Sequence, residues 1–421
     1  MSKIKYLSVK SKKKLLSFNV YYAPKSFGGA TVVAEEINLR LKNNFNWDIT
    51  VITTFQDKTY YPYHLKKYRI KDVNIIAINL PEHSSYELIY RNENIADILA
   101  NIIKSIKPDF AHIHSIQHIG SSFINALHAN RIKTVLTIHD CWWICERQFM
   151  INKAGRYCFQ KKIDPMACMY CVDEISRFEK RSEYLNEVLS KIDLFLFPSD
   201  FHRQVHIDNG LDPKKCLTNK NGIMMPSVNY KKAQSKVIRF GFTGGPGKIK
   251  GYELILDAFS KVALNNYELV VVDGAKNLGK SWSHAFKNAK IEGKIRIMPP
   301  YTQNTMDDFY KHIDVLLFPS QWKESFGLTV REALVRDIWV ISTNGGGTTE
   351  DLVEGENSHI IPISDNADYL LEAILECFDK NFKTYINRYK EAITTYDDQA
   401  EELNEILESI LSNNESISHE F

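Results

Sequence analysis

The most informative part of the sequence is Lys323-Glu-Ser-Phe-Gly-Leu-Thr-Val-Arg-Glu-Ala-Leu334, shortly after the apolar run Asp314-Val-Leu-Leu-Phe-Pro-Ser320. The apolar run predicts a buried parallel strand that ends at Pro319, and the residues around Glu332 predict the following helix. Glu324 then lies on the loop at the carboxyl end of a strand, and Glu332 lies just inside the helix. Because ligands of open α/β sheets bind at this edge, the two carboxylates are candidate site residues.

The loop between this strand and helix suits a phosphorylated ligand. Helix N-termini present free N–H groups and the positive end of the helix dipole, which favour an anion. One carboxylate near the phosphates and a second in the helix would accept hydrogen bonds from a sugar and a ribose, so a sugar nucleotide fits. The alternative is an ordinary strand-loop-helix with two solvated glutamates. Besides the glutamates, the predicted donor-binding residues here are Ser325, Phe326, Gly327 and Leu328.

These residues carry a resemblance to a known family. Glu324-Ser-Phe-Gly-Leu328 with Glu332 resembles the E-x7-E signature of retaining glycosyltransferases of the GT-B fold, especially glycosyltransferase family 4. The resemblance continues through the glycine-bearing loop Ile341–Gly347 and through Glu350–Ser358, where Ser358 replaces the family's final glycine. It implies two doubly wound, parallel-sheet, Rossmann-like domains that face a central cleft.

The same resemblance implies an activity. A retaining, metal-independent glycosyltransferase would move a sugar from a nucleotide-diphosphate donor to a hydroxyl of a glycan or lipid-linked acceptor. The expected pathway is surface polysaccharide biosynthesis (O-antigen, capsule or exopolysaccharide). Two other functions stay open: a nucleotide-sugar epimerase of GT-B fold, which would turn over donor alone, and a non-catalytic sugar-binding GT-B module.

Length and composition agree with a two-domain protein. The chain has 421 residues, of which 44% are hydrophobic and 25% charged, which suggests two domains of about 200 residues each. No apolar stretch is long enough to span a bilayer, and the N-terminus lacks the apolar core of a signal peptide. We therefore expect a cytoplasmic protein. We expect no nucleic-acid partner, although the net charge of +2 by itself excludes neither a nucleic acid nor a membrane.

The N-terminus is rich in lysine. The first fourteen residues contain six lysines, Lys3, Lys5, Lys10, Lys12, Lys13 and Lys14, and no acid. Such a cluster predicts peripheral contact with anionic headgroups on the cytoplasmic membrane face or with a pyrophosphate-linked lipid acceptor. The alternative is a solvated start to the chain.

The two halves of the sequence echo each other. Asp193-Leu-Phe-Leu-Phe-Pro-Ser199 nearly repeats the 314–320 run, and each half opens with an apolar strand that leads into a glycine pair. Strand-like runs alternate with helical patterns, which predicts one parallel, doubly wound sheet in each half. Besides the strand in the 193–199 run, the predicted strands are 15–20, 49–53, 74–79, 109–113, 134–138, 237–242, 268–272, 294–298, 314–318, 338–342 and 359–363.

Three segments follow from this pattern. Residues 1–225 form the N-terminal, acceptor-side domain, which contains a cysteine-rich loop at 141–171, and residues 236–396 form the nucleotide-sugar domain. A polar stretch at 219–235 predicts the linker between them. The tail is helical in period from 367 to about 411 and then polar, so we expect it to fray. The GT-B resemblance implies that residues 397–421 carry a helix that crosses back to the N-terminal domain.

Glycine pairs mark a phosphate-binding loop in each half. Gly28 and Gly29 precede an amphipathic stretch, so their amides can point at an anion; a tight turn is the alternative. In the second half, Gly244 and Gly245 precede Lys250-Gly251. The resemblance implies that Lys250 contacts the diphosphate.

This second loop departs from the family in one place. An arginine commonly stands about six residues before the lysine, and Gly244 occupies that position here. Lys248 is a candidate for the missing charge, although a lysine lacks the bidentate fork of arginine. Asp273-Gly274 predicts an edge of the base pocket or a plain turn.

Histidines end two predicted strands of the first half. Thr137-Ile-His-Asp140 places His139 at the cleft, and the resemblance implies that His139 hydrogen-bonds the donor sugar. His112 and His114 alternate along the preceding strand, so at most one of them faces the ligand. The predicted catalytic residues are thus Glu324, His139 and Lys250, and no cofactor is expected for catalysis.

Cysteines cluster in the middle of the chain. Five of the seven fall between Cys141 and Cys171, and the set Cys145, Cys158, Cys168 and Cys171 could close a tetrahedral structural zinc site. Without an export signal, disulfides are disfavoured. Unlinked or buried thiols, which behave as small apolar groups, are the alternative.

Overall fold

The computed structural model describes residues 12–26, 28–274 and 284–418, with side chains as far as residue 412. Lys3, Lys5 and Lys10 of the predicted lysine cluster therefore lie outside the described residues. Within the described ranges, no helix has both the length and the apolar character needed to cross a membrane.

The first half builds an eight-stranded sheet from residues 14 to 218. Its strands are β1 (Lys14–Phe18), β2 (Asp48–Phe55), β3 (Leu65–Ile70), β4 (Val73–Asn79), β5 (Phe110–Ile113), β6 (Lys133–Thr137), β7 (Leu194–Phe197) and β8 (Cys216–Thr218). Their order is β3-β4-β2-β1-β5-β6-β7-β8, and every neighbouring pair is parallel except β3 with β4. The helices of this half are α1 (Gly29–Phe45), α2 (Glu93–Ile106), α3 (Ile124–Ala129), α4 (Pro165–Cys168), α5 (Ile175–Leu189) and α6 (Asp200–Asp208).

The second half builds a six-stranded sheet in which every neighbouring pair is parallel. Its strands are β9 (Ile238–Phe242), β10 (Tyr267–Val272), β11 (Lys294–Met298), β12 (Val315–Phe318), β13 (Trp339–Thr343) and β14 (Ser358–Ile361), in the order β11-β10-β9-β12-β13-β14. The remaining helices are α7 (Tyr252–Ser260), α8 (His284–Lys287), α9 (Asp307–Tyr310), α10 (Leu328–Leu334), α11 (Asp368–Cys377) and α12 (Tyr396–Ser418).

The two Rossmann-like sheets agree with the predicted fold class, and each predicted strand overlaps an observed one. Central parallel strands are covered on both faces, so they consist of nearly continuous apolar residues that sequence reasoning detects. The predictions missed β3 and β8. β3 is an antiparallel edge strand whose exposed side chains include Lys66, Lys67 and Arg69, and β8 has three residues. Neither has the apolar run that identified the others.

The tail differs from the prediction in two ways. The helical period between 367 and 411 is interrupted, because α11 ends at Cys377 and α12 begins only at Tyr396. The backbone then stays helical to Ser418, where the polar composition predicted fraying.

The last helix, α12, lies against the first half. Trp47 Nε1 donates a hydrogen bond to Asn404 Oδ1 at 2.8 Å, and Arg40 Nε donates to Asp397 Oδ1 at 2.8 Å. Tyr396, at the start of α12, is fully buried in the same apolar cluster as Trp47. The helix therefore joins the C-terminal end of the chain to the N-terminal sheet.

The carboxyl edges of the two sheets also meet directly. Ser199, just beyond β7, donates from Oγ to the carbonyl oxygen of Ser325 at 2.6 Å. The amide of Phe201 donates to Glu350 Oε1 at 2.8 Å. The loop after β12, which carries Glu324, thus lies between the two halves.

Candidate active site

Glu324 lies at the centre of a charged cluster. Lys250 Nζ donates to its Oε1 at 2.7 Å, and Ser320 Oγ donates to the same oxygen at 2.6 Å. The Glu324 backbone carbonyl accepts the Gly347 amide at 3.0 Å, which joins the loop after β12 to the loop after β13. A buried carboxylate is therefore held rigidly at the carboxyl edge of the sheet, with a partly exposed ammonium group beside it.

The helix after Glu324 begins as the sequence predicts. Gly327 precedes α10 with φ +87°, a left-handed conformation that glycine adopts without steric cost. Helix α10 starts at Leu328, so the amides of Phe326, Gly327 and Leu328 stand where no intrahelical acceptor exists. The N-terminus of α10 therefore lies close to Glu324, with backbone donors of the kind that suit an anion.

Arg331 holds this loop from within. Its side chain is fully buried and donates to Asp351 Oδ2 at 2.6 Å, to the Gly347 carbonyl at 2.8 Å and to the Phe326 carbonyl. Its guanidinium also lies 3.7 Å from the centre of the Phe326 ring. Arg331 therefore fixes the carbonyls on both sides of the site without itself being exposed to a ligand.

Glu332 lies one turn into α10 and is almost fully buried. Tyr310 donates from its hydroxyl to Glu332 Oε2 at 2.7 Å. Burial raises the pKa of the Glu332 carboxyl, and the Tyr310 hydrogen bond and the Arg336 charge oppose that rise. Tyr301, which donates to or accepts from Thr243 Oγ1 at 3.2 Å, lies in the same polar group. One carboxylate oxygen is thus committed to the protein, and the group belongs to a tyrosine network rather than to open solvent.

The glycine loops come close to the charged cluster from both halves. A Cβ atom on Gly29, at the start of α1, would lie 3.0 Å from Leu328 Cδ1, so the first glycine pair lies against the start of α10. A Cβ atom on Gly251 would lie 2.1 Å from the Pro319 carbonyl, which shows how closely the second loop packs on the end of β12. These contacts bring the N-termini of α1, α7 and α10 to one cleft.

The two candidate lysines have different surroundings. Lys250 pairs with Glu324, whereas Lys248 is largely exposed and lies 3.5 Å from Glu253. The structure therefore does not bring Lys248 to the carboxylate cluster. A Cβ atom on Gly244 would lie 2.7 Å from the Phe242 ring and 3.2 Å from Lys250 Cβ, so these side chains would have to shift for an arginine to fit at this position.

His139 reaches the cleft with a second histidine behind it. His114 Nδ1 and His139 Nε2 lie 3.0 Å apart. Burial lowers the pKa of His139 to about 4 and holds the pKa of His114 well below its usual range, so both rings are neutral at pH 7. His114 Nε2 is buried and has no hydrogen-bond partner among the described residues. Because an orphaned buried N–H is rarer than an orphaned acceptor, the proton of His114 belongs on Nδ1. His139 Nε2 then accepts, and its Nδ1 carries the remaining proton.

Of the two earlier strand-end histidines, neither is open to solvent. His112 and His114 are both buried, and His112 Nε2 lies 2.8 Å from Thr137 Oγ1. Burial lowers the pKa of His112 to about 3. His114 therefore supports His139 rather than facing a ligand itself.

The cysteine-rich loop, residues 141–171, forms one wall of the site. Phe149 packs edge-on against Trp322, with ring centres 4.8 Å apart, and Cys141, Met150 and Tyr157 belong to the same cluster. Lys250 Nζ lies 5.4 Å from the centre of the Trp322 ring. The loop, which belongs to the first half, thus contacts Trp322 of the second half, two residues before Glu324.

The cysteines themselves are reduced in this structure. Among the described residues, no group of three or more His, Cys, Asp or Glu side chains is arranged to hold a metal ion. The structure therefore does not form the predicted ligand set Cys145, Cys158, Cys168 and Cys171. Burial raises the pKa of Cys145 to about 11, so its thiol is protonated in the metal-free protein. Structural zinc stays a prediction for elemental analysis.

Sequence reasoning did not identify four side chains of this site: Ser320, Trp322, Arg331 and Tyr310. Ser320 ends the apolar run and Trp322 lies between that run and Lys323, four and two residues before Glu324, so their proximity in sequence was a usable signal. Arg331 is adjacent to Glu332, but nothing in the sequence indicates that it points inward. Tyr310 lies 22 residues before Glu332 in the sequence, and only the fold brings the two side chains together.

Two family models cover most of the chain. The model described as glycosyl transferases group 1 matches residues 231–395, and the model described as glycosyltransferase family 4 matches residues 27–224. An uncharacterized 42.6 kDa protein of the cps region of Klebsiella pneumoniae is 23% identical over 62% of this chain and 63% of its own length. An uncharacterized glycosyltransferase of Methanocaldococcus jannaschii is 25% identical over 86% of this chain and 88% of its own.

Solved structures show the same architecture. A glycosyltransferase from Rickettsia africae superposes with a TM-score of 0.69 at 19% identity, over 96% of this chain and 99% of that one. Anabaena HepE in complex with UDP and glucose superposes with a TM-score of 0.67 at 14% identity, over 94% of this chain and 100% of that one. At these identities the likeness establishes the GT-B fold.

Proposed function

The chain belongs to the GT-B glycosyltransferases, with a family 4 first half and a group 1 second half, and from that premise we propose that it is a retaining enzyme of polysaccharide biosynthesis. It transfers a sugar from a nucleotide-diphosphate donor to a hydroxyl of a glycan or lipid-linked acceptor. The observation that carries this proposal is the Glu324 carboxylate, paired with Lys250 and set at the N-terminus of α10.

Transfer requires that the leaving diphosphate is neutralised. Lys250 and the amides at the start of α10 supply positive charge and donors that are already in place, which is the arrangement that lowers a barrier most. In the structure the Lys250 ammonium is satisfied by Glu324. We infer that a diphosphate competes for this ammonium, which leaves the Glu324 carboxylate available to the hydroxyls of the sugar.

The other roles follow from position. His139 approaches from the first half and would hold a sugar hydroxyl through Nδ1, while Glu332 would bind the ribose. A retaining reaction needs no side-chain nucleophile here, because the diphosphate itself can take the proton of the acceptor on the same face of the sugar. Since the HepE structure holds UDP and glucose, uridine diphosphate sugars are the first donors to test.

The acceptor and location are proposed on other grounds. The relative from a cps region favours a growing surface polysaccharide, which would be built on the cytoplasmic face of the membrane. Contact through the lysine-rich N-terminus belongs to this proposal. Among its described lysines, Lys13 pairs with Glu408 and Lys14 donates to the Ile106 carbonyl, so the charge available for lipid is smaller than the sequence suggests.

The test is a panel of sugar nucleotides followed by transfer assays. A donor at 100 times its dissociation constant should stabilise the protein by roughly 2.7 kcal/mol, which thermal unfolding detects. Lys250→Met should weaken this effect, whereas Lys248→Met, a matched change of an exposed lysine, should not. Sugar turnover without an acceptor would identify an epimerase. Donor binding without transfer to any polysaccharide acceptor would point to a binding module.

A further inference from the structure

The outer face of the cysteine-rich loop exposes a concentrated set of large apolar side chains. Phe159 is 58% exposed, Met166 69%, Met169 44% and Tyr170 81%. These are four of the fourteen large apolar side chains that are exposed in the described part of the chain, and they fall within twelve residues. Single exposed apolar residues are normal, but a cluster marks an interaction surface.

The local structure holds these side chains outward. Asp164 caps the short helix α4, and its carboxylate accepts the Met166 amide at 2.9 Å. Cys168 faces inward, where it packs with Val172 and Phe178. Met166, Met169 and Tyr170 remain exposed on this anchored turn, so their exposure results from a defined backbone.

Free positive charge accompanies the apolar residues. Lys161 and Lys162 are exposed and form no ion pair within the described residues, whereas Lys153 and Arg156 are paired with Asp173 and Asp365. From residue 159 to 170 the one acid is Asp164, which is engaged as the cap. Apolar and aromatic side chains next to unpaired lysines are the composition that enters the headgroup region of an anionic membrane.

We propose that this face, formed by Phe159, Lys161, Lys162, Met166, Met169 and Tyr170, docks on an anionic bilayer surface. The inner side of the same loop packs on Trp322 next to Lys250, so the docked loop would hold the cleft at the membrane, where a lipid-linked acceptor resides. This surface is separate from the lysine-rich N-terminus. Its membrane binding does not depend on which sugar is transferred.

The experiment measures binding of the full chain to vesicles of phosphatidylglycerol and phosphatidylcholine, with pure phosphatidylcholine vesicles for comparison. Met166→Ser with Tyr170→Ser should lower the partition coefficient about tenfold or more, since two apolar side chains no longer leave water. The matched control is Tyr61→Ser with Ile386→Ser, which removes side chains that are 87% and 64% exposed elsewhere on the surface. This control should bind like the parent.

A second pair of changes tests the charge and guards against misfolding of the first variant. Lys161→Ser with Lys162→Ser should weaken binding to anionic vesicles and reduce its dependence on salt, because surface charges are screened within about 10 Å at 0.1 M. The proposal is overturned if the parent does not bind anionic vesicles, or if both loop variants bind as the parent does. Binding that is lost only when the N-terminal lysines are replaced would also overturn it.

Discussion

Glu324 and Lys250 form an ion pair that the proposed donor would rearrange. The Lys250 ammonium lies 2.7 Å from the carboxylate, and both groups are drawn partly out of solvent by Trp322 and Ser320. A diphosphate offers a stronger partner for the ammonium than one carboxylate does. In the free protein the ion pair therefore holds both charges at the site, and each of them can change its partner when a donor binds.

Glu324→Gln tests the role of this charge. The variant keeps the size of the side chain and an oxygen for Ser320 but removes the charge that would matter most in the transition state. We expect kcat to fall by roughly 10²–10³, with a smaller change in donor KM. Steady-state kinetics on the correct substrates decides the matter, and a near-parental kcat would contradict the assignment of Glu324.

Glu332→Gln should behave differently, because the ribose is chemically unchanged during transfer. A glutamine oxygen can still accept from the Tyr310 hydroxyl, so the buried network should survive. We therefore expect a higher donor KM with kcat close to that of the parent, as for uniform binding. Measured beside Glu324→Gln, a drop in kcat alone would place Glu332 in the chemical step instead.

Two substitutions of His114 test whether this residue positions the His139 ring or only fills space in the fold. The asparagine amide nitrogen can occupy the place of the His114 Nδ1 that donates to His139, while glutamine reaches only the place of Nε2. His114→Asn should therefore keep most activity, and His114→Gln should lose about tenfold, the value of one hydrogen bond of about 1.4 kcal/mol. The nitrogen chemical shifts of the His139 ring report its tautomer independently of activity, and equal shifts in both variants would exclude this role.

Among the structural elements, the sequence predicts the strands well and the loops between them poorly. Parallel strands and the helix after Gly327 are local patterns, so the sequence alone places Glu324 on the loop and Glu332 in the helix. The contacts that complete the site join residues far apart in sequence, such as Tyr310 with Glu332 and Phe149 with Trp322. No local periodicity encodes such pairs. For this reason the sequence predicts neither the tyrosines around Glu332 nor the packing of the cysteine-rich loop on Trp322.

Gly347 shows how tightly the loops of the two halves fit. A Cβ atom there would lie 2.2 Å from the Ser325 carbonyl oxygen and 2.5 Å from Ser199 Oγ. Gly347→Ala should therefore push the halves apart at the cleft, destabilise the protein by about 1–3 kcal/mol and reduce activity. Gly274→Ala is the control, since a Cβ atom there meets nothing within 4 Å. Equal melting temperatures for the two variants would contradict the close approach.

In the whole molecule, the cleft is bounded by elements from both halves and the halves are joined a second time by α12. The hydrogen bonds of Trp47 and Arg40 attach that helix to the first half, while Tyr396 follows directly after the bridge between Ile223 and Thr395. The donor contact that we propose for Lys250 and the sugar contact that we propose for His139 therefore depend on one arrangement of the two sheets. Loss of that arrangement should affect donor binding before either sheet unfolds.

Buried histidines make the stability of this assembly depend on pH. Burial lowers the pKa of His206 to about 4, and its ring is fully enclosed beside Phe197 and His202. Between pH 6.5 and 4 the histidine is protonated in the unfolded chain, where its pKa is near 6.5, but stays neutral in the folded protein. The free energy of unfolding therefore has its full contribution from this histidine above about pH 6.5 and loses it as the pH falls toward 4. Each such histidine contributes a slope of about 1.4 kcal/mol per pH unit in that window.

His206→Phe should remove the proton that the unfolded chain takes up at this position below pH 6.5. The ring keeps its contact with Phe197, so the variant should lose stability between pH 6.5 and 4 less steeply than the parent, by about one proton. Urea unfolding at several pH values measures the slope, and His83→Phe, a change at an exposed histidine, serves as the control. If His206→Phe and the parent lose stability with the same slope, His206 does not enter the folded state as a neutral ring.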